Sequence, residues 1–222
     1  MSYAVKEIYY TLQGEGANTG RPIVMLRFAG CNLWTGREED RPDAVCRFCD
    51  TDIAGTDGPK GGKYEDAEQI ADVVANLWPR GGMEGSGSRD PGIPGSRLTV
   101  CTGGEPCLQL DDELVSALHD RGFAVAIESN GTVAAASGLD WICVSPKAGT
   151  ELVQRTGDEL KLVFPQAGID PKQFEHLAFK HFYLQPLDDA KRDRNTLLAV
   201  QYCKEHPRWR LSLQTHKLLG IP

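Results

Sequence analysis

The sequence predicts an α/β fold built on a mostly parallel sheet. Short apolar runs, typical of buried strands, alternate along the chain with longer stretches of helical periodicity. Strands that alternate with helices pair in parallel through right-handed crossovers. The six or seven strands expected here are too few for an eight-stranded barrel. The count therefore fits a partial or open barrel, or a doubly wound sheet.

The predicted strands are short runs of apolar, branched and aromatic residues, which favour extended structure. The first, residues 23–28 (IVMLRF), is apolar except for Arg27. The others span residues 98–101, 123–127, 141–144, 160–164, 182–184 and 209–213.

Three helices are predicted between these strands. The first, residues 65–78, carries four apolar residues at the spacing of one helical face: Ile70, Val73, Val74 and Leu77. The second begins near Asp111, whose negative charge suits the positive end of the helix dipole, and Gly122 is expected to end it. The third spans residues 191–205.

Two stretches interrupt the pattern within what we expect to be a single domain, residues 1–222. Residues 32–63 are rich in charged residues, glycine and proline; they follow Cys31 and contain Cys46 and Cys49. Residues 79–97 hold six glycines and three prolines in 19 residues, a composition that cannot build a core. We interpret this second stretch as a flexible surface insertion, with a lid over a site as the alternative.

The composition excludes several classes of protein. With 222 residues, 41% of them hydrophobic and 25% charged, the chain resembles an ordinary globular protein. It has no apolar run near the ~20 residues that span a bilayer and no basic-then-apolar signal segment, so we expect a cytoplasmic protein with no membrane partner. A net charge of −7 disfavours direct binding of nucleic acid.

The cysteines carry the first indication of chemistry. Seven of them without a secretion signal argue against a disulfide framework. Cys46 and Cys49 form a C-x-x-C pair, and Cys31 follows the first predicted strand. Three thiolates can bind a metal centre and leave one position open for another ligand.

Several interpretations of these cysteines remain open. A structural zinc site usually has four ligands, so it would need one of three histidines: His119, His176 or His216. Ordinary free thiols are another alternative, whereas a thioredoxin-like motif fits Cys31 and its loop poorly. The other four cysteines are expected to pack as small hydrophobic residues. From the cysteines alone, zinc and free thiols remain the leading interpretations.

Further motifs, taken in chain order, change this balance. Residues 10–16 (YTLQGEG) and 26–33 (LRFAGCNL) resemble the opening of radical S-adenosylmethionine (SAM) enzymes, and residues 103–106 (GGEP) resemble their GGEP motif. Three more segments narrow the match: residues 128–132 (ESNGT), 145–147 (SPK) and 185–188 (QPLD). Together they resemble the 7-carboxy-7-deazaguanine synthase family over most of the chain.

This resemblance implies a partial or open (β/α)6-type parallel barrel of the radical SAM kind, with an inserted cluster-binding loop. Cys31, Cys46 and Cys49 would hold a 4Fe–4S cluster with one iron open to SAM. The superfamily commonly uses C-x3-C-x2-C, whereas this chain has C-x14-C-x2-C, with the usual aromatic residue at Phe48. The longer spacing implies a reshaped cluster loop with a small helix of its own.

The resemblance also implies a SAM site. Gly103 and Gly104 would let the backbone approach the methionyl end closely. Glu105 would accept a hydrogen bond from its amino group, Lys147 would pair with its carboxylate, and Glu128 would accept from its ribose. The implied SAM-binding residues are Phe48, Asp50, Gly103, Gly104, Glu105, Glu128, Ser145, Pro146, Lys147, Gln185, Pro186, Leu187 and Asp188.

The family's substrate is a small molecule, 6-carboxy-5,6,7,8-tetrahydropterin. Arg27 would grip its carboxylate as a bidentate fork, and Gln13 and Glu15 would accept from pterin N–H groups. The implied substrate contacts are Leu12, Gln13, Gly14, Glu15, Arg27, Thr102, His216 and Pro222, the last through its terminal carboxylate. For His216 a solvated side chain is the simpler interpretation.

The resemblance further implies Mg²⁺ at Thr51, with a capping turn over residues 50–52 as the alternative. In the implied lyase reaction a 5′-deoxyadenosyl radical abstracts hydrogen from C6. Magnesium-assisted ring contraction then releases ammonia and gives 7-carboxy-7-deazaguanine, in queuosine and 7-deazapurine biosynthesis. Because the cluster and cofactor generate the radical, no side chain is expected as a conventional catalytic acid or base.

A flavodoxin-like external electron donor and a homodimer are the implied partners. Two other functions remain as alternatives. One is a glycyl-radical activating enzyme that acts on a protein partner. The other is a zinc-binding adaptor without catalysis.

Overall fold

The structure, a computed structural model, describes residues 2–79 and 96–222. Within these residues nine strands form one sheet in the order β3-β1-β2-β4-β5-β6-β7-β8-β9. The strands are β1 (Tyr3–Leu12), β2 (Pro22–Phe28), β3 (Gly62–Tyr64), β4 (Arg97–Gly103), β5 (Phe123–Ser129), β6 (Trp141–Val144), β7 (Thr156–Phe164), β8 (Ala178–Pro186) and β9 (Trp209–Leu211). Strand β2 and strands β4 to β9 run parallel, whereas β1 pairs antiparallel with both β2 and β3.

Four α-helices accompany the sheet in the described part of the chain: α1 (Ala67–Leu77), α2 (Asp112–Asp120), α3 (Arg192–Glu205) and α4 (Thr215–Leu219). Asp111 caps α2, since its carboxylate accepts a hydrogen bond from the backbone N–H of Leu114. Gly122 follows α2 with a φ of 77°, a left-handed conformation that glycine adopts at little cost. Both positions agree with the predicted start and end of this helix.

The three longer helices pack on one face of the sheet, which decides between the two predicted architectures. Leu26, on β2, and Ile127, on β5, pack in the core beside α1 and α2. Leu160 and Leu184, on β7 and β8, pack in the core beside α3. Register joins these residues into one continuous face, because Ile127 pairs with Ile142, which contacts both cores. A doubly wound sheet would carry helices on both faces, so the fold is an open barrel.

The opposite face carries polar side chains toward the carboxyl ends of the strands. Arg27 pairs with Thr102 across β2 and β4, and Lys161 pairs with Tyr183 across β7 and β8. Side chains alternate between faces along a strand, so each of these polar residues lies beside a core residue in sequence. This arrangement places polar chemistry on the inner side of the open barrel.

The regular alternation of strands and helices is incomplete within this open barrel. Strands β5, β6 and β7 are joined by loops without an α-helix, and β7 and β8 are joined through a 3-10 turn, Pro171–Phe174. At the other edge of the sheet, two additional strands, β1 and β3, extend it beyond β2.

The absence of β1 from the sequence prediction was an error with a physical cause. Its polar residues interrupt the apolar pattern, and the pairing register shifts between Val5 and Glu7, which breaks the alternation. Strand β3 and helix α4 were also not predicted. Strands β7 and β8 begin earlier than predicted, at Thr156 and Ala178, where polar residues interrupt the apolar pattern.

The two interrupting segments have different outcomes. Residues 32–63 form a long loop with a 3-10 helix at Glu38–Asp43, which matches the small helix expected there, and end in β3. The predicted insertion at 79–97 lies, apart from its ends, outside the described residues, and Arg97 belongs to β4. Among residues 2–79 and 96–222, no helix is long and apolar enough to cross a membrane.

Candidate active site

A cavity of about 350 Å³ lies at the carboxyl ends of the parallel strands. This edge of an α/β sheet is where ligands usually bind, because the connecting loops converge there. The cavity collects all but two of the predicted site residues, the exceptions being Glu105 and Pro146. It is also lined by residues for which no individual site role was predicted, some of them within the predicted motifs: Glu7, Tyr9, Met25, Leu33, Trp34, Asp52, Ile53, Ser129, Asn130, Lys161, Val163, Gln214 and Lys217.

Three cysteines, Cys31, Cys46 and Cys49, line this cavity. The other four pack into the fold, as expected, and do not line it: Cys101, Cys107, Cys143 and Cys203. In the described part of the chain, no group of three His, Cys, Asp or Glu side chains is arranged to hold a single metal ion. A zinc site draws its donors to about 2.3 Å from one ion. Three thiols that share a wall without that convergence fit a larger group, such as an iron–sulfur cluster.

The histidines considered for a zinc site lie elsewhere or serve other contacts. His119 bonds Asp140 at 2.8 Å, and His176 lies 3.4 Å from a guanidinium nitrogen of Arg155. His216 does line the cavity, where its ring lies against Gly14. Two of the three histidines, His119 and His176, therefore lie outside the cavity that the cysteines line.

The two thiols of the C-x-x-C pair differ in their electrostatics. A hydrogen bond from the Cys46 thiol lowers the pKa of Cys49 to about 6, and the same bond, with burial, raises the pKa of Cys46. Burial also lowers the pKa of Lys147, an effect that the negative charges of these two thiols oppose. Cys49 is therefore a thiolate at neutral pH, the form that binds metals.

Arg41 fastens the long cluster loop. Its Nη1 donates to the backbone carbonyls of Arg47 at 2.9 Å and Cys49 at 3.1 Å. Its guanidinium lies 4.1 Å from the ring centroid of Trp34 and pairs with Glu38 in the 3-10 helix. One side chain thus ties the middle of the loop to the segment that carries two of the three cysteines.

Asparagines fasten the other end of the loop, near Cys31. Asn130 donates from Nδ2 to Oδ1 of Asn32 at 3.0 Å, and Asn32 donates to Oγ1 of Thr132 at 2.7 Å. The predicted motif at residues 128–132 therefore holds the turn of the first cysteine, a role that the sequence did not reveal.

Glu105 supports this motif from below. It is fully buried, and its carboxylate accepts from Oγ of Ser129 at 2.8 Å and from the backbone N–H groups of Asn130 and Cys107. Glu105 therefore bonds to other residues of the protein and does not line the cavity, whereas the resemblance implied direct contact with SAM. Pro146 likewise lies behind its neighbours Ser145 and Lys147, which do line the cavity.

The adjacent glycines of the GGEP motif permit a close approach of two backbone segments. A Cβ on Gly103, whose φ is 132°, would overlap the carbonyl of Phe28, and one on Gly104 would overlap the carbonyl of Gly30 and Cβ of Cys31. Strand β4 can pack beneath the turn of Cys31 only without these side chains. The motif thus positions the first cysteine as well as bordering the cavity.

A buried ionic cluster forms the inner wall. Lys161 lies 2.5 Å from Oε2 of Glu15 and 3.2 Å from Oε1 of Glu128. Gln13 donates to Glu128 at 3.0 Å, and Gln214 donates to Glu15 at 3.0 Å. Burial opposes the charge of Glu15, but Lys161 outweighs it and the pKa of Glu15 falls below its ordinary value. Glu15 is therefore an ionised acceptor.

Arg27 lies on the same face and is already partly paired. Its Nε donates to Glu7 at 2.8 Å, and its Nη2 donates to the hydroxyl of Tyr9 at 3.0 Å. These bonds from β1 fix the guanidinium at the cavity wall.

The last residues of the sequence close the cavity. Lys217 bridges Asp50 at 2.5 Å and Asp188 at 2.6 Å, and so joins the cluster loop to the motif at 185–188. A Cβ on Gly14 would overlap the ring of His216, so this glycine permits their close approach. Pro222 lines the cavity, and its backbone oxygen accepts from Thr11 at 2.8 Å.

Thr51 and Asp52, which follow the last cysteine of the cluster loop, make different contacts. Thr51 lines the cavity, as does Asp52. The Asp52 carboxylate is bound by Lys6 at 2.7 Å and accepts from the backbone N–H of Ala54 at 3.2 Å. This second bond is of the turn type considered for the segment, while Thr51 keeps its place on the wall.

Some of the unpredicted residues had a signal in the sequence. Lys161 stands between Leu160 and Leu162 in a predicted strand, where a lysine is unusual and indicates a polar partner inside the fold. Gln214 and Lys217 had none, because only the topology brings them to Glu15 and Asp50.

No protein-family model matches the chain. It is 57% identical over 222 residues to the 7-carboxy-7-deazaguanine synthase of Caulobacter vibrioides, and 59% identical over 221 residues to that of Bradyrhizobium diazoefficiens, with both alignments covering each protein fully. It is also similar to the crystal structure of QueE from Escherichia coli, with a TM-score of 0.69 and 26% identity over 96% of this chain and 94% of that one. The chain therefore belongs to the 7-carboxy-7-deazaguanine synthase family.

Proposed function

We propose that this protein is a radical SAM lyase that converts 6-carboxy-5,6,7,8-tetrahydropterin to 7-carboxy-7-deazaguanine and ammonia. One observation carries the proposal: a single cavity brings the three thiols of the cluster loop together with Arg27, Gln13 and Glu15. The names of its full-length relatives support the product. The proposed radical-generating cluster and the polar substrate site would therefore share one cavity.

The donor set fits the proposed cofactors. Cys31, Cys46 and Cys49 would hold a 4Fe–4S cluster, leaving an iron for SAM. When bound, the reduced cluster and SAM supply the one-electron chemistry that starts the reaction. The protein's contribution is to bind, orient and exclude water. Lys147, with its lowered pKa beside the thiols, offers a cation for a carboxylate.

The remaining SAM contacts would come from the strand ends around this wall. Gly103 and Gly104 border the cavity where backbone can approach a ligand most closely. The 185–188 segment lies opposite and is tied to the cluster loop by Lys217. Glu128 would contact both SAM and the substrate, since it lies between the SAM-binding wall and the buried ionic cluster.

The substrate contacts follow from charge and hydrogen-bond type. The carboxylate of the pterin requires a cation, and Arg27 provides a guanidinium that Glu7 and Tyr9 hold in place. The N–H groups of the pterin require acceptors, which Glu15 and Gln13 provide. Thr102, next to Arg27 across the sheet, and His216, against Gly14, complete this side.

The proposal includes magnesium at Thr51. Mg²⁺ prefers oxygen ligands and usually keeps several waters, so one threonine oxygen together with the substrate carboxylate suits it. Lys6 engages the neighbouring carboxylate of Asp52, which leaves Thr51 as the proposed protein ligand. We also propose a flavodoxin-like external electron donor and a homodimer, both on the family resemblance.

The function is tested by product analysis with anaerobically reconstituted protein. The reaction would contain reductant, magnesium, SAM and 6-carboxy-5,6,7,8-tetrahydropterin, with products measured by mass spectrometry. We expect 7-carboxy-7-deazaguanine, abolished by Cys49→Ala and retained in Cys203→Ala, a cysteine outside the cavity. 5′-Deoxyadenosine without the deazaguanine would retain the radical chemistry and overturn the substrate. It would then favour a protein substrate, as in a glycyl-radical activating enzyme.

A further inference from the structure

Lys161 places one buried cation against two carboxylates from different parts of the chain. Its side chain is 5% exposed, and its Nζ contacts Glu15, from the turn after β1, and Glu128, at the end of β5. Strand β6 lies between β5 and β7, so the lysine reaches across the inner face of the barrel. Two carboxylates this close in a buried site repel each other unless a cation lies between them.

The surrounding charges leave Lys161 as the main counterion of this pair. The ionisable groups that face the cluster from the neighbouring elements are Glu15, Glu128, Cys143, Glu159, Tyr183, Lys147 and His216. Burial raises the pKa of Glu159 and raises that of Cys143 well above its ordinary value. Burial lowers the pKa of Lys147, and no ion pair joins it to Glu15 or Glu128 in the described part of the chain. Lys161 instead keeps its charge, because the carboxylates outweigh burial.

We propose that Lys161 is a positioning residue that keeps Glu15 and Glu128 charged together, so that both present acceptors to the N–H groups of the substrate. This inference rests on the proposed function and deepens it. A carboxylate that gained a proton would change from an acceptor to a donor at one oxygen. It would then face an N–H group with another hydrogen, and the recognition would be lost.

The proposal predicts a change in pH dependence. In the native protein the pKa of Glu15 lies below its ordinary value, so Glu15 remains an acceptor as the pH falls to weakly acidic values. In Lys161→Met, burial and the neighbouring Glu128 would raise the pKa of the pair. Pterin binding would then be lost as the pH falls through the raised pKa, and regained as the pH rises above it. We expect binding to weaken about 10- to 100-fold at neutral pH.

The experiment compares cluster-loaded native protein with Lys161→Met, Lys161→Arg and a control, Lys180→Met. Lys180 lies on the adjacent strand β8 and also pairs with an aspartate, but it is exposed. Pterin affinity is measured by equilibrium binding across pH, and protonated carboxyl groups are measured by infrared spectroscopy without substrate. We expect a protonated carboxyl and a displaced binding profile only in Lys161→Met, with Lys161→Arg close to native.

A double variant separates charge from shape. Adding Glu128→Gln to Lys161→Met removes the repulsion on Glu15, and we expect it to return the pH profile of pterin binding toward the native one. Uniformly weaker binding in Lys161→Met, with a native pH profile and no protonated carboxyl, would overturn the proposal. So would a double variant that is merely weaker still.

The infrared measurement distinguishes this failure from failure of the proposed function. It requires no substrate and reports only whether Lys161 keeps the pair charged. If native protein binds no pterin, the proposed function and the recognition role both fall. A protonated carboxyl in Lys161→Met would then leave the charge relation standing for another ligand. If the infrared signal is absent while native protein binds pterin, the positioning role of Lys161 alone is overturned.

Discussion

The glycine pair at the end of β4 shows how single residues set the geometry of the cluster side. Gly103 and Gly104 pass so close to Phe28 and Gly30 that neither position has room for a Cβ. The sequence marked these glycines through the GGEP motif, with ligand approach as the expected reason. The structure adds a second reason, which is the packing of β4 against the turn of Cys31.

Gly104→Ala is therefore expected to disturb cluster binding more than stability. The new methyl group would force the Cys31 turn away, and overpacking of this kind costs about 1–3 kcal/mol of unfolding free energy. Iron content after anaerobic reconstitution should fall sharply, and chemical denaturation gives the stability. Gly149→Ala is the matched control, because that glycine has open space around it and only a left-handed backbone. Equal iron content in both variants would contradict the packing argument.

Arg27→Lys tests the substrate side at the same scale. Lysine keeps the charge but cannot donate to Glu7 and Tyr9 while presenting a planar fork to a carboxylate. A hydrogen bond to a charged group contributes about 1.5–3 kcal/mol, so the Kd for the pterin should rise roughly 10- to 150-fold. SAM affinity, measured by equilibrium binding, should stay native. A parallel loss of SAM affinity would show that the substitution disturbs the whole wall.

Contiguous motifs were the part of the site that the sequence could predict. Residues 103–106, 145–147 and 185–188 each follow a strand, so their position at the carboxyl edge follows from parallel pairing. Lys161 and Lys217 act through partners that are distant in sequence. Nothing local in the sequence specifies such partners, because the order of strands in the sheet determines them.

At the scale of elements, the 14-residue spacing between the first two cysteines is accommodated by a loop with its own internal support. A short 3-10 helix, Glu38–Asp43, presents Arg41 to the carbonyls near Cys49 and to the face of Trp34. Such outer contacts orient metal ligands without touching the metal. The loop is therefore an ordered element of the site and carries its own determinant of cluster retention.

Arg41→Met is expected to weaken cluster retention while leaving the cysteines in place. Loss of comparable supporting contacts typically lowers metal affinity about 10- to 100-fold. The rate of iron loss to a chelator, followed by the visible absorbance of the cluster, should rise accordingly. Arg37→Met is the control, since Arg37 is largely exposed and its ion pair with Glu39 is long, at 3.8 Å. Matching rates in the two variants would sink the proposed role of Arg41.

Elements with one apolar face were predictable, and those that serve the cavity were less so. Helix α1 matches its prediction within two residues, because Ile70 and Val74 bury a regular apolar stripe. Strand β1 escaped prediction because Lys6, Glu7 and Tyr9 make polar contacts that the cavity and cluster loop require. Helix α4, five residues long, is too short to show a period. The residues that serve the cavity are therefore the ones that interrupt the regular apolar pattern from which strands and helices are predicted.

At the scale of the whole molecule, both ends of the sequence meet at the cavity. Gln13 and Glu15 come from the turn after β1, Gln214 precedes α4 and Lys217 lies in it. The hydrogen bond from Gln214 to Glu15 joins the two segments directly. The cluster loop is tied to the same segment through Asp50. Ligand binding is therefore expected to stabilise the two ends of the chain as one unit.

SAM should accordingly stabilise the cluster-loaded protein beyond the residues that it touches. At about 100 times its Kd, a ligand of the folded state adds about 2.7 kcal/mol to the free energy of unfolding. At this chain length each kcal/mol raises Tm by about 2–4 °C, which calorimetry would detect. Hydrogen exchange should slow at residues 13–16 and 214–219 together, and Lys217→Met should uncouple the second segment. Protection confined to residues 103–105 and 145–147 would show instead that the wall binds SAM without drawing in the chain ends.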